Sequence, residues 1–219
     1  MEILNMQTVF VFEAIIFVSA VLMHVVKRNS TIIIIYLCQS LALVGLLGIH
    51  AYQEQSTGSF LIALIVLVIK VLIAPRFFLR LINRSHQNLS ASTYINVPMT
   101  LGVIIGLIFF AQSDIFSPFN KLLGEMPALR MMLISAIFIS LFLTINRKGV
   151  LSQIIGVLSL ENSIVAFGFF VGLRQPFNLE LGILFDILIL VIVSTVFVSM
   201  VYRQFDSYDV TRMKHLKEE

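Results

Sequence analysis

The sequence predicts an all-α, polytopic membrane protein with about seven transmembrane helices, its N-terminus outside and its C-terminus cytoplasmic, built as one integral membrane domain over residues 1–219. Three observations carry this. Hydrophobic residues make up 58% of the chain and charged ones 12%, about half the charge that a water-exposed surface needs. Apolar runs long enough to cross a hydrocarbon layer of about 30 Å, which takes roughly 17–25 helical residues, occur seven times. Basic residues flank those runs unevenly, as they do in membrane proteins with a fixed orientation.

The runs cover residues 5–26, 31–50, 59–81, 94–112, 128–145, 150–173 and 179–202. The first is read as a retained helix and not a signal peptide, because Glu2 and Glu13 stand where a positive n-region would be and Lys27 and Arg28 follow the run. One set of alternate loops carries eleven basic residues, among them Lys27, Arg28, Arg76, Arg80, Arg84, Arg147, Lys148 and Arg203; the other set carries only Lys121, Arg130 and Arg174. The basic side is cytoplasmic by the positive-inside rule. Pro75 is expected to kink or loosen the end of the third helix. Residues 83–92 form the main cytoplasmic loop, and residues 114–127, with Pro118, Gly124 and Pro127, the main external one.

An offset of 119 residues superposes Arg28 on Arg147, Ser40 on Ser159 and Leu41 on Leu160. This suggests parallel three-helix units at residues 1–82 and 128–202, joined by a connector helix at 94–112 and followed by a cytoplasmic tail at 203–219. The net charge of +3 sits in short flanks beside apolar runs, not in a patch suited to nucleic acid. The one cysteine, Cys38, excludes a disulfide framework and offers no spacing for zinc or an iron–sulfur cluster. It is expected to be a small core residue.

Chemistry must therefore lie in the polar residues within the spans. At 1.5 Å of rise per residue, Lys70 lies roughly 16 Å from the external end of its helix, Glu161 about 16 Å from the cytoplasmic end of its own, Glu13 about 12 Å in and Asp186 about 10 Å in. These four are the candidate proton-relay residues, supported by Gln39, Asn162, His24 and His50, with Ser40, Ser159 and Ser163 nearby in sequence. Intramembrane ionisable residues are expensive and generally face a protein interior or a wet cavity. Burial and neighbouring charges can poise such groups to exchange protons. Each also has a plainer reading. Glu161 with Asn162 fits an interhelical contact, Lys70 a counter-ion to Asp186 or to a neighbouring subunit's carboxylate, Glu13 a snorkelling or subunit-contact residue, Gln39 interhelical glue, and His24 and His50 ordinary interfacial histidines.

Four segments resemble the hydrogenase-4 component E family, membrane subunits of group 4 energy-converting nickel–iron hydrogenases and formate hydrogenlyase-type complexes. They are Tyr36, Cys38, Gln39, Ser40 and Leu41; Lys70, Val71, Leu72 and Pro75; Gln153, Ile154, Gly156, Glu161 and Asn162; and Gly182 with Asp186. With Asp209 and Val210, they span most of the chain. The C-terminal three helices of that family are similar to complex I subunit K, in which a buried glutamate precedes an asparagine by four residues. Leu158 occupies that place here, and Glu161, three residues later, lies on nearly the same helix face. Asp186 would stand for the second glutamate.

The resemblance implies a multi-pass subunit in a prokaryotic cytoplasmic (inner) membrane. It would be a non-catalytic part of an oxidoreductase complex, contributing to proton or cation translocation. Its partners would be antiporter-like membrane subunits, a membrane subunit anchoring the redox arm, and peripheral hydrogenase-like subunits. The chain itself would hold no cofactor, the nickel–iron site and iron–sulfur clusters belonging to those partners. Two other roles stay open for such a chain: a structural scaffold without its own relay, and a subunit of a multisubunit cation/proton antiporter. An autonomous seven-helix transporter or receptor is a further class. A rhodopsin-like pigment is disfavoured, since the seventh span offers Asp186 and no lysine and the chain has no tryptophan.

Overall fold

The computed structural model describes residues 2–84, 92–123 and 126–170. Among them every regular element is a helix: α1 (Glu2–Val25), α2 (Asn29–Glu54), α3 (Thr57–Val66), a π-helical segment (Leu67–Ile73) leading into α4 (Ala74–Arg84), α5 (Val97–Ala111), a short 3-10 turn (Asp114–Phe116), α6 (Phe119–Leu122), α7 (Pro127–Asn146) and α8 (Val150–Phe170). Five of the described rods are long and apolar enough to cross a membrane: Gln7–Val25, Asn29–Gln53, Thr57–Arg80, Pro127–Asn146 and Val150–Phe170. The α5 helix is apolar but shorter. The predicted span at 179–202 lies outside the described residues.

Local chemistry sets the boundaries. Expected from residue 94, α5 begins at Val97, because Asn96 caps it by accepting from the Met99 N–H at 3.1 Å and Pro98 occupies its first turn. Tyr94 and Ile95 are drawn off to the end of α7, donating their N–H groups to the Asn146 carbonyl at 2.9 Å and to Asn146 Oδ1 at 3.2 Å. The α2–α3 hairpin turns at Gln55, which adopts a left-handed conformation at φ 48°, and Ser56 then caps α3.

Four helices form the centre. The α7–α8 and α1–α2 pairs are antiparallel hairpins that pack side by side, α1 on α7 and α2 on α8. The rod from α3 to α4 lies against α2, and α5 lies against α7. Gly156 lets α8 approach α7 closely: a Cβ there would fall 2.7 Å from Thr144 Oγ1 and 2.9 Å from its backbone nitrogen. Small residues at such crossings are how membrane helices gain contact area when lipid is as apolar as the interior.

One end of the bundle is tied by Arg147. Its guanidinium is buried and donates to the carbonyls of Met23 and of Val26, the latter at 2.9 Å. It thereby caps carbonyls that the end of α1 leaves without helical partners. Burial pulls this guanidinium down to about 10, so it stays charged at neutral pH. The backbone of residues 92–94 pairs with residues 146–148 beside it. Arg28, its counterpart at the 119-residue offset, is exposed, so the two basic residues do different work.

Candidate functional site: a buried lysine–glutamate pair

Lys70 reaches the bundle interior because the helix carrying it is widened. The buried positions of this rod are Ile62, Ala63, Val66, Ile69, Lys70, Ala74, Pro75 and Phe78. In an uninterrupted α-helix of 3.6 residues per turn, Phe78 would point roughly 160° away from Ile62. The π-helical segment absorbs that drift and keeps one face inward. Its cause is in the sequence: Pro75 has no N–H, and its ring crowds the carbonyl four residues back. Ala74, just before it, donates to Ile69, five residues back. The expected loosening by Pro75 thus lies mostly upstream of the proline, around Lys70.

Lys70 is 1% exposed, and its Nζ donates to Glu161 Oε1 at 2.7 Å and to Asn162 Oδ1 at 2.8 Å. Asn162 Nδ2 donates in turn to Ser40 Oγ at 3.0 Å and to Gln39 Oε1 at 3.4 Å. Gln39 Nε2 donates to the Ile16 carbonyl at 3.3 Å. A continuous polar line therefore runs from the third rod through α8 and α2 to α1. Beside it, Ser140 Oγ lies 2.9 Å from Ser159 Oγ and 3.4 Å from Ser163 Oγ. Glu161 retains some exposure, and its Oε2 is buried without a hydrogen-bond partner among the described residues.

The other candidate residues lie apart from this line or at its edge. Glu13 is fully buried on the interior face of α1, and neither carboxyl oxygen has a hydrogen-bond partner among the described residues. It is not a snorkelling side chain. His24 belongs to the Arg147 end: its Nε2 donates to the Ile139 carbonyl at 2.9 Å, and its ring stacks on Phe142 with centroids 4.9 Å apart. His50 packs edge-on against Phe169 at the opposite end. Asp186 lies outside the described residues, and the counter-ion of Lys70 among the described residues is Glu161. Cys38 corrects an expectation: it is exposed, since the α2 face turned inward carries Ile32, Ile33, Tyr36, Gln39, Ser40 and Leu43, and Cys38 falls beside that stripe.

The chain is 25% identical over 185 residues to an uncharacterized protein of Mycobacterium tuberculosis, covering 82% of each chain. No family model and no solved structure matches it.

The geometry permits one kind of chemistry directly. A proton on Lys70 Nζ needs to cross only one short hydrogen bond to reach Glu161 Oε1, converting an ion pair into a neutral pair; which form prevails depends on the surrounding charge. Among the described residues no three His, Cys, Asp or Glu side chains group closely enough to hold a metal ion. Among the buried polar residues that sequence reasoning missed, Arg147 and Tyr36 stand out. Arg147 reads as a topology flank, and only the Asn146–Arg147 pair directly ending an apolar run hints at a capping role. Tyr36, fully buried one helical turn before Ser40, is indistinguishable in sequence from an interfacial tyrosine.

Proposed function

We propose that this chain is a membrane-arm subunit of a complex I-like energy-converting hydrogenase or hydrogenase-related complex, passing protons through the Lys70–Glu161 pair. The observation that carries the reading is a lysine and a glutamate joined by a 2.7 Å hydrogen bond at mid-helix, in a chain whose other helices are overwhelmingly apolar. Intramembrane ionisable residues that pair with one another are found along ion pathways and proton relays. In this reading Asn162, Gln39 and Ser40 orient the pair, and Asp186 in a seventh span extends the path. The chain sits in a prokaryotic inner membrane with its basic loops in the cytoplasm. Its partners are antiporter-like subunits, a redox-arm anchor and peripheral subunits that hold the nickel–iron and iron–sulfur centres.

The test is substitution within the assembled complex. Glu161→Gln is expected to reduce ion translocation coupled to hydrogen evolution by on the order of a hundredfold, the low end of what a positioned acid–base group supplies, with all subunits still copurifying. Full translocation in Glu161→Gln, Asp186→Asn and Lys70→Met, together with dispersal of the complex on deleting the chain, would make it a scaffold. A chain that purifies alone and functions alone would remove both roles.

A further inference from the structure

We propose that Glu13 is a second proton-binding site, coupled to the Lys70–Glu161 pair through Gln39 and Asn162; its role in transport rests on the relay reading, but its existence as a site does not. Glu13 lies on the face of α1 that also buries Ile16, Ala20 and Met23, a face that packs on α2, α5, α7 and α8. The titratable side chains on these elements are Glu2 and His24 on α1 itself, Tyr36, Cys38, His50, Tyr52 and Glu54 on α2, Arg130 on α7 and Glu161 on α8; α5 has none. None of them hydrogen-bonds to Glu13. Among the described residues Glu13 thus has neither donor nor counter-ion, and an apolar interior disfavours a charged group left so.

The coupling follows from the way α1 meets α2. Gln39 Nε2 donates to the carbonyl of Ile16, and the Phe12 ring lies so close to Gly45 that a Cβ there would sit 2.6 Å from it. Glu13 falls between these two contacts, one helical turn from Ile16. When Glu13 ionises, its O–H bond breaks with the electron pair left on the carboxylate and the proton passes to water. The carboxylate is then a stronger acceptor than a backbone carbonyl, and the Gln39 amide turns to it from a 3.3 Å bond. That movement draws Gln39 Oε1 away from Asn162, which it meets at only 3.4 Å, and loosens the hold of Asn162 on Lys70. The charge of Glu13 is thereby felt at the pair without a proton crossing the amide.

Infrared titration of the full chain in lipid vesicles tests both parts. A carboxylic-acid carbonyl band is expected that vanishes in Glu13→Gln and reappears at a shifted frequency in Glu13→Asp. Its midpoint is expected to move by about one pH unit, a tenfold change in proton affinity, in Lys70→Met, and that displacement is expected to vanish when Gln39→Leu is added. A spectrum with no acid band sensitive to either Glu13 substitution overturns the site. A midpoint equal in the wild-type chain and in Lys70→Met overturns the coupling. Either failure leaves the translocation defect of Glu161→Gln untouched, so the two readings fail separately.

Discussion

Removing one partner of the Lys70–Glu161 pair should be more damaging than removing both. At an effective dielectric of about 20, unit charges separated by roughly 3 Å attract by about 5–6 kcal/mol, and most of this offsets the desolvation of the two groups. Lys70→Met leaves the Glu161 carboxyl and Asn162 Oδ1 without the donor that both use at 2.7 and 2.8 Å. Breaking a buried pair in this way costs about 3–5 kcal/mol. Adding Glu161→Gln removes the stranded charge, so the double variant should regain part of the loss. The coupling energy of the cycle is expected at about 2–4 kcal/mol, above the ~0.6 kcal/mol average of interhelical hydrogen bonds in membrane proteins. Denaturant unfolding of the purified chain in mixed detergent–lipid micelles measures it. Single-variant losses that add to within about 0.5 kcal/mol would refute the pairing, because residues in direct contact cannot behave as independent sites.

Three further outcomes follow from named contacts. Asn162→Leu deletes the hub bonded to Lys70, Ser40 and Gln39 and should lower stability by about 2–4 kcal/mol in the same assay, with Asn162→Asp less damaging because it keeps an acceptor for Lys70. Arg147→Met strips the cap from the Met23 and Val26 carbonyls; a loss of about 2–4 kcal/mol is expected, with faster hydrogen exchange at the end of α1. Gly156→Ala forces a methyl group onto the Thr144 backbone and should cost about 1–3 kcal/mol. Gly106→Ala, where a Cβ meets nothing within 4 Å, should be neutral or stabilising by up to about 1 kcal/mol. Equal effects at the two glycines would show that α7 and α8 do not approach there.

What could be read from sequence and what could not divide along a physical line. The helices α2, α7 and α8, expected at 31–50, 128–145 and 150–173 and described over Asn29–Glu54, Pro127–Asn146 and Val150–Phe170, were legible because crossing lipid demands length and apolarity, and both are local properties. The inward turn of Gln39, Ser40, Ser159 and Asn162 was legible for a related reason: polar atoms in hydrocarbon must find partners. The exposure of Cys38 was not, since lipid and protein interior are equally apolar and no periodicity marks which apolar face is which. Nor was the pairing of Lys70 with Glu161, 91 residues apart, because it depends on how the third rod and α8 both lie against α2 and on a register shift that Pro75 imposes upstream. Pro75 signalled a disturbance; only its placement around Lys70 shows what the disturbance positions.

The same contacts that make the pair a candidate relay also specify how the helices dock, and the two roles can be separated. In lipid the hydrophobic effect does not drive one helix against another, so register must come from close packing and from polar groups that have few alternative partners. Asn162 supplies register for α2 and α8 and joins both to Lys70 through neutral donors and acceptors, none of which needs to change its protonation. Glu161 supplies little register of its own: one carboxyl oxygen meets Lys70, and the other has no partner among the described residues. Asn162 meets its hydrogen-bonding groups with Lys70, Ser40 and Gln39, which avoids the cost of about 1–3 kcal/mol for a buried polar atom left unmet. In the proposed relay, the Glu161 oxygen and the two Glu13 oxygens that have no hydrogen-bond partner among the described residues are the atoms that would change their proton occupancy. In the proposed relay, docking falls to Asn162 and proton exchange to Glu161, its neighbour on one helix, so Asn162→Leu should act first on stability and Glu161→Gln first on transport.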